Sequence, residues 1–303
     1  MKIKSFIQYF LTFVSIFFIA YQLYKNIEIL ETIKYIPTYF FLIIFFYVLR
    51  IISRAYTNHY LYKNVNIELP FFDALTITLI NGLGNYLGPL KAGSGMKLAY
   101  LNKKFNLKII DYMSINTQYS SIYFVASASI ATVIMILKSN ENQYNQSIYA
   151  ALLVFLISIF ILSISLIRKI NLNKLENSKI YFIEKLIKII KFESIKNNRL
   201  NIFLFTSLHA LFGFFAIYFC LRIMSVDNTF LDAIFIGSMS QLSTVVNITP
   251  GNIGIVEGIL FAFKSVYQLN LEEILLFSVI SRIFVLIAML LLNIFLSIKE
   301  RMS

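Results

Sequence analysis

The sequence predicts an all-α integral membrane protein: six full transmembrane helices plus two re-entrant hairpins, arranged as two inverted-topology repeats. Three observations carry that prediction. Hydrophobic residues make up 58% of the 303 positions, charged residues 14%, and the mean hydropathy is +0.75. Several apolar runs therefore approach the roughly 20 residues that cross a hydrocarbon layer about 30 Å thick. Two stretches rich in glycine and proline, 81–95 and 247–258, interrupt otherwise apolar segments. Finally, the two halves share a spacing pattern, so the chain reads as one membrane domain, 1–303, with a first repeat at 1–138 and a second at 147–303.

In order along the chain, residues 6–24 form a first apolar span after Lys2 and Lys4, with no small-residue cleavage pattern behind it, and are expected to be retained. A second span covers 37–52 and ends in Arg50 and Arg54. Residues 71–87 run into Asn81-Gly-Leu-Gly-Asn-Tyr-Leu-Gly-Pro-Leu-Lys-Ala-Gly-Ser-Gly95, and 96–108 then carry Lys97, Lys103, Lys104 and Lys108, too many charges to cross lipid. A hairpin that enters, breaks and returns to the same side accommodates both arms. The third span, 112–137, has a polar start containing Asn116, Gln118, Ser120 and Ser121, and the fourth covers 148–167. Between 168 and 199 lie nine Lys and Arg, with apolar Ile180, Ile183, Leu186, Ile187 and Ile190 set against Lys185, Lys188 and Lys191, the pattern of a basic helix on the cytoplasmic membrane surface. The fifth span is 200–221. Residues 230–248, the Pro250-Gly251 break and the arm 254–268 form a second hairpin, and 274–298 is the sixth span.

The repeat is visible in Phe72-Asp-Ala-Leu75 and Leu231-Asp-Ala-Ile234. Pro89 and Pro250 follow the two aspartates at similar distances. From each proline it is four residues to a glycine, Gly93 or Gly254, and 22 to an acid, Asp111 or Glu272, that suits a helix N-terminus. Three crossings per unit make the second unit upside down relative to the first. Charge agrees with this: with both termini cytoplasmic, 21 of the 27 Lys and Arg fall inside and five outside, Arg282 lying within a span.

A helix break at membrane depth frees backbone groups that lipid cannot satisfy, so it belongs inside protein or beside a wet cavity. Ionisable residues there are functional candidates. Two tips meeting near the bilayer middle would aim helix N-termini at an anionic group. The candidate substrate-binding residues are Asn85, Lys91, Gly93 and Lys97 of the first hairpin, Gln118 of the third span, Asn247, Pro250, Gly251, Asn252, Gly254 and Glu257 of the second hairpin, and Arg282 of the sixth span. Glu257 and Arg282 also fit a buried structural ion pair, and Lys91 and Lys97 fit snorkelling to headgroups. No nucleophile, metal cluster or nucleotide loop is recognisable, and no cofactor or metal is expected. Cys220, His59 and His209 read as packing residues.

At these residues the chain resembles the transmembrane, flippase-like region of lysylphosphatidylglycerol synthetases and its stand-alone relatives. Thr249-Pro-Gly-Asn-Ile-Gly-Ile-Val-Glu257 is similar to the family's Pro-Gly-x-x-Gly-x-x-Glu motif, and Ser281-Arg282 to its following intramembrane arginine. Pro89-Leu-Lys-Ala-Gly93 with Lys97 resembles Pro-x-Arg-x-Gly-Glu-x-x-Arg, with Ser94 standing where many members carry Glu. The resemblance implies a non-enzymatic protein of the bacterial inner membrane that moves a phospholipid or glycolipid headgroup between leaflets. The alternative is an accessory subunit that binds a lipid-linked sugar for a glycosyltransferase. Expected partners are thus an anionic or zwitterionic membrane lipid or a lipid-linked sugar, with a glycosyltransferase or lipid-modifying enzyme beside it and self-association allowed; nucleic acid is not expected. The aminoacyl-transferring domain of full-length synthetases is absent from this sequence.

Overall fold

The computed structural model describes residues 36–63, 65–87, 92–138, 198–246, 250–267 and 269–302, together with Tyr24, Leu153 and Leu156. Among these residues the fold is all helical. The helices are α1 (Pro37–Lys63), α2 (Phe71–Leu87), α3 (Ala92–Phe105), α4 (Ile109–Lys138), α5 (Arg199–Ile223), α6 (Phe230–Val246), α7 (Ile255–Ala262), α8 (Lys264–Tyr267) and α9 (Leu271–Met302), with a 3-10 turn at Pro250–Asn252 between α6 and α7. The first and fourth expected spans and most of the basic segment 168–199 lie outside the described residues.

Among the described residues, three helices have the length and apolarity to cross a membrane: Pro37–Lys63, Leu200–Ile223 and Leu271–Lys299. α4 is continuous over 30 residues, about 45 Å at 1.5 Å per residue, with a polar first half and an apolar second half. The surface distribution is that of a membrane protein. Phe41, Leu200, Phe203, Leu290, Ile294 and Phe295 are exposed, whereas Asn58, Lys97, Gln241, Asn252, Glu257 and Arg282 are buried. Lipid accepts the former at no cost, and the interior supplies the latter with hydrogen bonds.

α1 and α5 form the most extensive packed pair in the described core. Their contacts run in opposite directions along the chain. Tyr39 meets Phe219, Phe46 sits between Phe215 and Phe219 at ring distances of 5.0 and 5.9 Å, and Tyr56 and Tyr60 stack on Phe205. Midway, Nδ1 of His209 donates to the Arg50 carbonyl at 3.0 Å. The order of these contacts makes the helices antiparallel. Cys220 is fully buried in the same core.

The helix pair α2–α3 closes on itself. Asp73 near the start of α2 bonds Tyr100 and Lys104 near the end of α3, each at 2.5 Å, and at the other end the Gly93 N–H donates to Asn85 Oδ1 at 3.1 Å. The backbones touch there: a methyl group on Gly93 would fall 2.1 Å from the Asn81 carbonyl oxygen, and one on Gly84 would fall 2.5 Å from Gly93 Cα. Only glycine permits that approach. α6 and α7–α8 form a second such pair, joined by Asn252 to Ser243 near the break and by Phe235 to Phe263 and Tyr267 farther along. α7 stops at Ala262 and the chain re-forms a short helix from Lys264, so the arm expected over 254–268 is two helices.

Each pair packs on a long helix of the other half. α2 lies along α9, with Phe72 under Lys299 and Gly82 against Met289. α6 lies along α4, with Asp232 ion-paired to Lys138 and Ser127 donating to Gln241 Oε1 at 2.6 Å. α4 begins three residues after α3, beside the open end of the first pair, and ends at Lys138, beside the open end of the second. The open ends therefore adjoin opposite ends of α4.

Candidate functional site

The site forms where the second break meets the middle of α9. Gly251, Asn252 and Gly254 all have positive φ, 57°, 55° and 84°. Two of the three are glycine, whose missing Cβ removes the steric cost of that region. The left-handed residues turn the chain out of α6 and restart it as α7 with Glu257 in its first turn. Glu257 Oε2 accepts the Gly254 N–H at 2.7 Å and so caps the new helix. Its other oxygen, Oε1, accepts Arg282 NH1 at 2.6 Å and also the Ser278 hydroxyl, one turn earlier on α9. Arg282 Nε donates to the Gly251 carbonyl at 3.3 Å. Glu257 and Arg282 are 9% and 8% exposed, so both charges are removed from solvent and compensate each other. Arg282 NH2 and Asn252 Oδ1 are nevertheless buried without hydrogen-bond partners. Among the described residues, one donor and one acceptor beside the ion pair therefore keep unused hydrogen-bonding capacity.

The end of α2 reaches this site. Tyr86 flanks Gly251, where a methyl group on the glycine would stand 3.6 Å from Tyr86 Cδ1. The end of α2 thus lies against the second break; Pro89 and Lys91 fall outside the described residues.

Of the residues singled out from sequence, the structure brings Gly251, Asn252, Gly254, Glu257 and Arg282 together; Pro250 begins the same turn. Asn85 and Gly93 sit at the neighbouring tip, but their polar groups bond each other. The N–H groups expected to face an open pocket are engaged from within, Gly93 by Asn85 and Gly254 by Glu257. Lys97 is 3% exposed and donates to Asn58 Oδ1 at 3.1 Å, so it does not snorkel to a headgroup layer. Lys91 and Asn247 lie outside the described residues, and for Gln118 only its place on α4 is described. Sequence reading missed Ser278, Tyr86 and Asn58. Ser278 was detectable as a hydroxyl one turn before Arg282 in an apolar helix. Ser94 donates to Asn81 Oδ1 at 3.1 Å, linking the two hairpin arms, and its carbonyl accepts the Tyr112 hydroxyl of α4.

Beside the first tip lies a groove of about 370 Å³ between α2, α3 and α9, lined by Leu79, Leu83, Met96 and Leu296 among others. It is almost entirely apolar and contains neither Glu257 nor Arg282. The groove and the charged site are therefore in different places.

A helical protein with an apolar perimeter and its charged groups paired inside has the make-up of a multi-pass membrane protein. A family model described as Lysylphosphatidylglycerol synthase TM region matches residues 6–292, and the chain belongs to that family. The family ties it to lipid handling in a membrane. No curated protein and no solved structure matches it.

Proposed function

We propose that this protein carries the headgroup of an anionic or zwitterionic lipid between the leaflets of a bacterial inner membrane. The observation that carries the reading is the Glu257–Arg282 pair, buried where the second helix break meets α9, with Arg282 NH2 left unpartnered. In this reading the free guanidinium nitrogen takes a headgroup oxygen, Asn252 Oδ1 accepts a headgroup donor, and acyl chains stay in lipid or in the groove beside α2. A polar seam of this kind lowers the barrier to moving charge through hydrocarbon without bond chemistry, so the protein acts as a transporter and not as an enzyme.

The transmembrane arrangement proposed is two inverted repeats with the α2–α3 and α6–α7 pairs as re-entrant hairpins and both termini cytoplasmic. Three features support it: α1 and α5 are antiparallel, α2–α9 and α4–α6 pack reciprocally, and the open ends of the hairpins adjoin opposite ends of α4. Rocking of one half against the other would open the site to each side in turn.

Leaflet exchange in proteoliposomes is the direct test. A fluorescent phospholipid analogue bleached by an impermeant reductant should become fully accessible with native protein and stay half protected with Arg282→Met. Equal protection in native and protein-free vesicles refutes transport. Topology is tested in a Cys220→Ser background: Lys103→Cys and Asp227→Cys, both at exposed positions, should be labelled from opposite faces, and labelling from one face overturns the inverted arrangement.

A further inference from the structure

A second cluster, in the first half, with Lys97 buried and Arg50 and Arg54 half-buried, is not balanced as the Glu257–Arg282 pair is. Arg50, Arg54 and Asn58 follow at one-turn spacing on α1 and so share a face of that helix. Lys97 of α3 reaches the same face through Asn58. Arg54 lies within electrostatic reach of both Arg50 and Lys97. Its guanidinium carbon sits 3.5 Å over the Tyr119 ring, and its NH1 is buried with no hydrogen-bond partner. Lys97 Nζ stands 5.3 and 5.9 Å from the Tyr62 and Tyr112 rings. The Tyr62 and Tyr123 hydroxyls are also buried without a well-formed hydrogen bond, although Asn116 and Arg50 lie beside them. On α5, Gly213 makes room for Arg50: a methyl group there would meet its guanidinium at 3.2 Å.

Among the described residues the ion pairs join Asp73, Asp232, Asp227 and Glu257 to Lys104, Lys138, Arg222 and Arg282, and none involves Arg50, Arg54 or Lys97. Aromatic faces offset only part of the cost of one buried and two half-buried cations held together. The unmet groups are guanidinium N–H and phenol O–H, which are donors, so the complement is an anion with several acceptor oxygens.

We propose that Arg50, Arg54 and Lys97 form an anion-binding site for a phosphate group, either the phosphodiester of a lipid or free phosphate. A tetrahedral oxyanion offers oxygens to two helices at once, which suits cations presented by both α1 and α3 better than a planar carboxylate does. Tyr86 lies within electrostatic reach of both Arg50 and Arg282, so the site continues towards the hairpin tips. From Arg50 to Asn58 the face climbs about 12 Å along α1. The site rests on these contacts alone. If the protein exchanges lipid, it is a station for the phosphate between the tips and the far end of α1.

The single cysteine is buried and therefore reports unfolding through a thiol-reactive dye. The purified full chain in detergent is titrated with inorganic phosphate and, separately, with a short-chain phosphatidylglycerol, and the unfolding midpoint is read. A rise with the lipid alone assigns the lipid phosphodiester; an equal rise with both assigns free phosphate. In Arg54→Gln and Lys97→Met the half-saturating concentration should increase at least about tenfold, the effect of losing a charged hydrogen bond. Lys104→Met should leave it unchanged. Arg54→Lys keeps the charge and loses the fork, and should fall between native and Arg54→Gln, which also serves if the glutamine variant does not fold. No shift in the native protein, or the same response in the variants as in the native chain, overturns the site. Leaflet exchange measured on the same preparations separates the two readings. Binding without exchange removes transport and keeps the site, and exchange with unaltered binding in Arg54→Gln does the reverse.

Discussion

Replacing Glu257 tests whether the central ion pair serves structure alone. Its carboxylate accepts from Arg282 NH1, the Ser278 hydroxyl and the Gly254 N–H. Glu257→Leu strands all three donors, and the guanidinium, 8% exposed, keeps only its Nε bond to the Gly251 carbonyl and its contact with Ser278. Breaking a buried pair from one side costs about 3–5 kcal/mol, at least two orders of magnitude in the folded-to-unfolded ratio. Arg282→Met strands the opposite charge and should cost a similar amount. The double variant Glu257→Leu/Arg282→Met leaves no uncompensated charge, so most of the lost stability should return, and a small net gain is within the range for such replacements. Dye-monitored unfolding of the single buried cysteine reads stability, and lipid exchange in proteoliposomes reads function. The expected result is recovery of the midpoint in the double variant with exchange still abolished. A double variant as stable as native that exchanges lipid at the native rate would refute the functional role of the pair. Single variants as stable as native would refute the burial argument itself.

Other changes probe the frame around the site. Gly93→Ala places a methyl group against the Asn81 carbonyl, which belongs to backbone and cannot swing away; it should lower stability by about 1–3 kcal/mol or more and reduce the yield of monodisperse protein in size-exclusion chromatography. Gly95→Ala, two residues on, meets nothing within 4 Å and should raise the unfolding midpoint slightly, by up to about 1 kcal/mol of helix propensity. Lys138→Met removes the partner of buried Asp232 and should destabilise by about 3 kcal/mol, whereas Lys104→Met, whose side chain is half exposed beside Asp73, should change stability by less than about 1 kcal/mol. Gly251→Ala finds space but not backbone freedom at φ 57°, so a loss of about 1 kcal/mol is expected, without loss of the Glu257–Arg282 bond.

Hydropathy, turn chemistry and charge are local or additive along the chain, and on those grounds the sequence by itself determined a good deal. It defined a membrane protein, placed α2 at its observed bounds, set a break at Pro250-Gly251, and marked Glu257 and Arg282 as charges in apolar segments. It also carried the family resemblance, which the family model matches over residues 6–292. What a residue is spent on is decided by partners far away in the chain, and that only the tertiary structure settled. Arg50 and Arg54 read as the end of a span, yet α1 runs to Lys63 because tyrosines of α4 and a glycine of α5 accommodate them inside. Lys97 looked like one charge too many for lipid and is instead buried on Asn58, 39 residues earlier. Asn85 was expected to face a ligand and caps Gly93, while Ser278, one turn before Arg282, joins the ion pair. Whether a charge or amide at depth finds a counter-group is decided by another helix, and no short window of sequence contains both partners.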